Sequence, residues 1–335
     1  MANVSRETGI DIIKAVSIVL VLIWHLQPIT QNVLPPDSAA GIYGWPVMDF
    51  FYRYISLLAV PSFICVSLLL FMKKSFISEG YWKKRLMRLV QIFLFWTGIQ
   101  FIFYLLAGGG LPLPLNTIIP SGGPALPSGQ ASVFYFLFVL IECTVLAALF
   151  LKLTETVKWI ASVGIIALSC LHFAFSPVYG ISIDTMSMKS YYIYIPLAYC
   201  IAKYERQFTR CRTFFIVGYL LAICYEEFAV GVSISAYGRL SILLGVLSFL
   251  SICLPVRSTL HWSAAFLSRY SLGIFALHMY CSYIVSRLAG MIITPGQMLP
   301  PFMALERLMV FGVTLIFTFL SVYLLGKTKM RSYIS

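Results

Sequence analysis

The sequence predicts an all-α integral membrane protein, a bundle of about ten transmembrane helices with both termini in the cytoplasm. Of its 335 residues, 60% are hydrophobic and only 11% are charged, and the mean hydropathy is +0.90. A soluble domain carries about a quarter charged residues and about half apolar ones at most. The surplus of apolar side chains must therefore face lipid, and we expect the whole chain, 1–335, to form a single transmembrane domain.

A helix needs about 20 apolar residues to cross the hydrocarbon of a bilayer. Such segments lie at 9–27, 47–72, 89–107, 132–151, 159–176, 189–203, 213–229, 237–254, 268–288 and 305–326. The first is interpreted as a retained helix and not a signal peptide, because Asp11 and Lys14 interrupt its apolar core and no small-x-small cleavage site follows. The outward segments 28–46 and 108–131 are rich in Pro, Gly and Ser. They either shape an acceptor site or simply connect helices.

The distribution of basic residues predicts the orientation. With the N-terminus inside, 18 of the 24 Lys and Arg residues fall in cytoplasmic segments, in line with the positive-inside rule. The formal net charge of +12 therefore needs no nucleic-acid partner to explain it, and we expect none. The eight cysteines are scattered without a C-x-x-C pair, which predicts small buried side chains in place of a metal site or disulfides.

The first span carries three ionisable residues, Asp11, Lys14 and His25. At 100° per residue, Lys14 and His25 are three turns plus about 20° apart, so all three side chains project from one helix face. Asp11 lies about 20 Å from His25 along the axis, which excludes a direct His–Asp dyad and suits an elongated ligand. A histidine with a pKa near 6.5 can accept a proton from an attacking hydroxyl. The alternative is an interfacial His25 and an Asp11 that stabilises the helix dipole.

Three further groups are candidates for chemistry. Arg85 and Arg88 are one helical turn apart, so both guanidinium groups can converge on one anion such as phosphate, or they can serve as ordinary cytoplasmic anchors. Ser271 and His278 are two turns apart on one face, where His278 is either a packed helix histidine or part of a site. Glu142 is alone in an apolar span and can orient a catalytic group or be held neutral by burial.

Five stretches together resemble the acyltransferase-3 family, multi-span enzymes that acylate sugars and lipid-linked glycans. GIDIIKAVSIVLVLIWH (9–25) is similar to the family's first-helix signature, and VPSFICVSLLLF (60–71) to its second-helix V-P-x-F-F-x-x-S-G stretch. KRLMR (84–88) matches the cytoplasmic R-x-x-R motif, SVFYFLFVLIE (132–142) the fourth-helix aromatic run, and SRYSLGIFALH (268–278) the late S-x-G-I-Y-x-x-H signature. The five lie in the expected order, and the family's ten core helices agree with the topology predicted from charge.

The chain departs from these signatures at three positions. Lys14 stands where arginine is commoner, and Ile64 and Leu68 interrupt the second-helix stretch. Because of the change at Leu68, where glycine is usual, no role is assigned to Ser67.

The resemblance implies acetyl-CoA or another short acyl-CoA as cytoplasmic co-substrate, no permanently bound cofactor, and a sugar hydroxyl as acceptor at the outer face. His25 would be the catalytic base or would transiently accept the acyl group, Glu142 would orient a catalytic group, and Ser271 and His278 would support them. Donor binding would fall to Asp11, Lys14, Arg85 and Arg88. The acceptor would be a lipid-linked or cell-surface glycan such as O-antigen lipopolysaccharide, and the protein a multi-pass protein of the inner (plasma) membrane. Since the sequence stops at Ser335, we expect no appended esterase-like domain.

Two other function classes stay open. A transporter or flippase of a lipid-linked saccharide or acyl group would share the multi-span architecture, although no inverted pair of Gly/Pro-broken segments marks the sequence. A non-catalytic membrane scaffold is the third interpretation, for which buried Asp11, Lys14 and His25 would be costly.

Overall fold

The computed structural model of the chain describes residues 8–29, 45–106, 135–175, 188–230, 237–292 and 300–335. Over these residues the secondary structure is helical, and they contain no strand. The α-helices are α1 (Thr8–Leu26), α2 (Trp45–Phe50), α3 (Ala59–Ser75), α4 (Tyr81–Leu106), α5 (Tyr135–Leu151), α6 (Glu155–Phe175), α7 (Tyr194–Arg210), α8 (Arg212–Tyr225), α9 (Leu240–Cys253), α10 (Trp262–Arg269), α11 (Ser271–Ile292), α12 (Pro300–Leu325) and α13 (Arg331–Ile334). The prediction of an all-α membrane protein is confirmed for this part of the chain.

Every one of the ten predicted segments coincides with a helix, but not all of these helices are long and apolar enough to count as candidate membrane spans. Among the described residues, six helices are long and apolar enough to cross a membrane, or seven if the bent pair α7–α8 is one span. The apolar helices α5 and α9 have 17 and 14 residues, so at 1.5 Å per residue they reach only about 26 and 21 Å. The count of ten and the cytoplasmic position of both termini stay predictions.

The spans predicted at 189–203 and 213–229 correspond to a bent pair of helices, α7 and α8. The two helices are separated only by Cys211 and meet at an angle of 89°. Within α7, Tyr204 already leaves the helical conformation, with φ −131° and ψ 41°. The basic residues of this region were expected to form a cytoplasmic loop, whereas the structure makes them part of a broken helix.

The helix predicted at 47–72 is not regular. Between α2 and α3 the chain forms a π-helical turn, Phe51–Ile55, and then a 3-10 turn, Ser56–Leu58. A π-helical turn changes the register of side chains along the axis and is frequent at functional sites. The turn carries Tyr52, a buried residue whose ring contacts that of Trp24 near the end of α1.

The described helices fall into two compact units. The first takes in α1 as far as Ile13 together with Val60–Thr259, and the second takes in Lys14–Ala59 and Leu260–Ser335. The prediction of one domain over 1–335 stays a prediction.

In the first unit, α1 begins in close contact with the end of α9. A Cβ atom on Gly9 would collide with the carbonyl oxygen of Cys253 and lie 2.9 Å from the Cα of Leu254. Only a residue without a side chain lets the two backbones approach this closely. Close packing of α1 against α9 therefore requires glycine at the first position of the first-helix signature.

Gly9→Ala is expected to destabilise the protein by about 1–3 kcal/mol, because backbone atoms cannot move aside as a flexible side chain does. Gly164→Ala in α6 is the matched control, since a Cβ there meets no atom within 4 Å and alanine favours a helix by up to about 1 kcal/mol over glycine. Thermal unfolding in detergent measures both. Equal melting temperatures for the two variants would contradict the close approach.

In the second unit, α11 and α12 pack through small polar side chains. Thr314 and Thr318 of α12 are fully buried one turn apart, with Val322 one turn further. Small residues let helices approach where lipid supplies no hydrophobic drive between them. Gly273 of α11 has the same function against α13, since a Cβ there would lie 2.8 Å from the Cβ of Ile334.

Candidate functional site

Two histidines face each other in the second unit. His25 lies in the last turn of α1, and His278 lies in α11 with no exposed surface. Their ring centroids are 5.1 Å apart and the ring planes are inclined by 49°. An ionisable side chain in an apolar helix is costly and is functional by default. The two imidazoles together are the strongest candidate for a catalytic centre in this unit.

The hydrogen bonds of His278 determine its tautomer. Its Nδ1 lies 2.8 Å from the carbonyl oxygen of Phe275 and 3.3 Å from that of Ile274. A carbonyl oxygen can only accept, so Nδ1 carries the proton and donates it to the backbone. Nε2 then holds the lone pair, and it is buried without a hydrogen-bond partner among the described residues. His278 thus presents a neutral acceptor nitrogen inside the unit.

The chain directly after His25 is held in an unusual turn. Gln27 has a positive φ of 37°, a conformation that non-glycine residues seldom adopt, and its N–H donates to the carbonyl of Ile23 at 3.0 Å. Such a left-handed residue is a common way to end a helix. Two positions further on, the carbonyl oxygen of Ile29 accepts the hydroxyl proton of Tyr52 at 2.8 Å.

Aromatic side chains lie beside the turn that follows His25. The ring of Trp24, the residue before His25, meets the ring of Tyr52 edge-on at 6.4 Å. Tyr52 belongs to the π-helical turn and is 4% exposed. The end of α1 is therefore fixed by a hydrogen bond and a ring contact, which restrains the backbone that carries His25.

A carboxylate and a tyrosine hydroxyl pair in the first unit. Tyr192 donates its hydroxyl proton to Oε1 of Glu142 at 2.6 Å, which links α5 to the segment before α7. The second oxygen of Glu142, Oε2, is buried and has no hydrogen-bond partner among the described residues. A buried acceptor without a partner is costly, which makes this oxygen a candidate to accept a hydrogen bond from a substrate group. Glu142 was a candidate from its position in an apolar span, whereas nothing in the sequence marked Tyr192 as its partner.

Arg85 and Arg88 lie on α4 near its start, one turn apart as predicted. The helix begins at Tyr81, eight residues before the predicted start at 89, so both arginines belong to the helix itself. Arg85 donates from Nη2 to the hydroxyl of Ser67 on α3 at 2.6 Å. Both arginines carry a positive charge on the same turn of α4, and an anion bound between them would offset their mutual repulsion.

The remaining predicted residues occupy helix starts. Asp11 is 8% exposed in the first turn of α1, and Lys14 is partly buried one turn later. Ser271 is the first residue of α11, and its hydroxyl donates to the carbonyl of Ser268 at 3.1 Å. Their assignment to the site stays a prediction. Among the described residues, no three His, Cys, Asp or Glu side chains lie together as metal ligands would.

Comparison with protein families supplies the identity. Residues 7–327 match the family model Acyl_transf_3, described as an acyltransferase domain. The chain belongs to the acyltransferase-3 family. The match covers nearly the whole sequence, so the protein is a membrane acyltransferase. The comparison with curated proteins and the comparison with solved structures each gave no match.

The acyltransferase-3 resemblance noted in the sequence is thus confirmed, and the structure explains parts of the signatures. Gly9 and Gly273 mark close helix contacts. Ser67 was assigned no role from the sequence because the glycine that usually follows it is missing, yet its hydroxyl accepts the hydrogen bond of Arg85. The one signal that could have identified Ser67 is its hydroxyl, which lies on the helix that precedes the R-x-x-R motif. The outward segments 28–46 and 108–131 were expected either to shape an acceptor site or simply to connect helices. Residues 30–44 of the first and all of the second lie outside the described residues.

Proposed function

We propose that this membrane acyltransferase moves a short acyl group, acetyl in the simplest case, from cytoplasmic acyl-CoA to a hydroxyl of a lipid-linked or cell-surface glycan. O-antigen lipopolysaccharide in the inner membrane is the acceptor type that the family resemblance favours. The observation that carries the proposal is the pair of His25 and His278, 5.1 Å apart in apolar helices. A base shielded from water can deprotonate a hydroxyl without competition from hydrolysis.

His25 is assigned both proton transfers of the reaction. A ring nitrogen of His25 takes the proton of the acceptor hydroxyl while the hydroxyl oxygen attacks the thioester carbonyl. The new C–O ester bond forms, the C–S bond breaks, and the proton passes from His25 to the departing sulfur. The products are the O-acyl glycan and the free thiol of CoA. General base catalysis of this kind contributes about 10²–10⁴-fold in rate.

The donor is assigned to Arg85 and Arg88. CoA carries phosphate groups at one end and the thioester at the other, and two guanidinium groups within one helical turn offer planar donors that suit phosphate. Asp11 and Lys14 are proposed to border the path of the pantetheine arm. Glu142, held by Tyr192, is proposed to receive a hydrogen bond from a substrate hydroxyl at its open oxygen.

Ser67→Ala is expected to raise the KM for acetyl-CoA about fivefold and to leave kcat nearly unchanged, because Arg85 loses the hydroxyl that orients it. Ser62→Ala is the matched control, since Ser62 is a fully buried serine of the same helix whose hydroxyl makes no hydrogen bond among the described residues. Initial rates against acetyl-CoA concentration measure the effect. A KM for Ser67→Ala equal to that of Ser62→Ala would remove Ser67 from the donor site.

A transporter of a lipid-linked saccharide is the second candidate, and the bent pair α7–α8 is the observation that favours it. Broken helices form the substrate sites of many secondary transporters. The two functions differ in the product that they leave behind. A transporter changes the amount of glycan at the cell surface, whereas the enzyme changes its acylation.

The two functions can be distinguished with membranes that contain the protein. These are incubated with acetyl-CoA labelled in the acetyl group. We expect label in the polysaccharide fraction, released by mild alkali as an ester would be. Unlabelled polysaccharide together with an altered amount of surface glycan would favour transport and contradict the proposed transfer.

A further inference from the structure

His278 is fully buried, and its ring is held in one orientation by hydrogen bonds to the backbone. The proposed reaction assigns it no role. Of its two ring nitrogens, Nδ1 is committed to the carbonyls of Ile274 and Phe275. Nε2 has no hydrogen-bond partner among the described residues, although a buried polar atom normally has one. The helix therefore fixes which nitrogen is the acceptor and keeps that acceptor available.

The distance to His25 matches a specific use of this acceptor. A ring nitrogen lies about 1.2 Å from the ring centre, so two imidazoles joined by an N–H···N hydrogen bond of about 2.9 Å have centroids about 5 Å apart. The observed separation is 5.1 Å. The final torsion of a histidine side chain is soft, and catalytic hydrogen bonds often become aligned only when substrate binds.

We propose that His278 is a positioning residue that sets the tautomer of His25. One ring N–H of His25 donates to Nε2 of His278, which leaves the lone pair on the other nitrogen of His25 to take the proton of the acceptor hydroxyl. When that proton arrives, the imidazolium of His25 still donates to Nε2. After the proton has passed to the leaving thiolate, both rings are neutral again. The inference rests on the proposed function, since it assumes that His25 is the base.

A histidine held only for packing would have a different requirement. In that case the essential group would be Nδ1–H, which satisfies two carbonyls of α11, and Nε2 would be dispensable. The two roles use opposite nitrogens, so two amide side chains of different length distinguish them. The amide nitrogen of asparagine can replace Nδ1, and the amide oxygen of glutamine can replace Nε2 as an acceptor.

The experiment measures kcat and the KM for labelled acetyl-CoA in membranes that contain the native protein, His278→Gln or His278→Asn. We expect His278→Gln to retain kcat within about tenfold and His278→Asn to lose about 100-fold, with the donor KM unchanged in both. Melting temperatures in detergent confirm that each variant is folded. If His278→Asn does not fold, His278→Leu replaces it, since leucine also places no acceptor at the position of Nε2.

Three results would overturn the inference: His278→Asn more active than His278→Gln, equal activity of both variants, or a rise in donor KM without a change in kcat. His25→Ala, assayed in parallel, separates this failure from failure of the proposed function. An inactive His25→Ala protein with equally active His278 variants leaves the base in place and removes only the role of His278. A fully active His25→Ala protein removes the base itself.

Discussion

Replacing His25 with alanine is expected to lower the kcat of acyl transfer by at least about 100-fold, the contribution of a positioned base. The KM for the acyl donor should change little, because the donor's charged end is assigned to other residues. The fold should survive, since His25 lies in the last turn of α1, where the loss of one side chain leaves the helix intact. Label transferred per unit of protein, over a range of acetyl-CoA concentrations, measures kcat and KM separately.

The matched control is His172→Ala. His172 is also a histidine in an apolar helix, α6, but it belongs to the first unit and not to the histidine pair. We expect its activity to be within twofold of the native protein, about 0.4 kcal/mol in free energy. A folded His25→Ala protein with native kcat would show that this imidazole does not take the proton.

The second large effect is expected at the donor site. Arg85→Ala combined with Arg88→Ala should raise the KM for acetyl-CoA by about 100-fold or more, since each hydrogen bond from a charged group contributes about 1.5–3 kcal/mol and each 1.4 kcal/mol is a factor of about ten. Because the interaction is between charges, the native KM should also increase with salt concentration. The double variant should have lost most of that salt dependence.

Lys84→Ala is the control for the arginine pair. Lys84 is adjacent to Arg85 in α4, carries the same charge and is exposed to solvent. If it raises the donor KM as much as the double variant does, the effect reflects net charge at the membrane surface and not a phosphate site. An unchanged KM in the double variant would remove both arginines from donor binding.

The apolar segments of the sequence were sufficient to locate the helices, but they did not predict where helices bend or where each one begins. The ten predicted segments each contain a helix because about 20 consecutive apolar residues have few alternatives in lipid. The bend of 89° at Cys211 left no signal, since basic residues between two apolar runs are equally compatible with a loop. The early start of α4 was missed because charged residues were assigned to the loop, although they are good helix formers.

The candidate site was predictable in so far as it depends on one helix. The spacing of Lys14 and His25 places them on one face of α1, because helical geometry is local. The pairing of His25 with His278 and of Glu142 with Tyr192 joins residues that are distant in sequence. No periodicity within one segment contains that information. Tyr192 in particular lies between helices. Tyrosines are common at membrane interfaces, so its presence there does not indicate a functional site.

The central claim, that the chain transfers an acyl group to a glycan with His25 as base, is tested most directly on the product. Surface glycan would be isolated from cells that express the native protein, His25→Ala or no protein, and its ester-linked acyl groups identified by mass spectrometry and NMR. We expect one acylated hydroxyl with the native protein, and none with His25→Ala at equal expression or without the protein. The same acylation in all three samples would contradict the account.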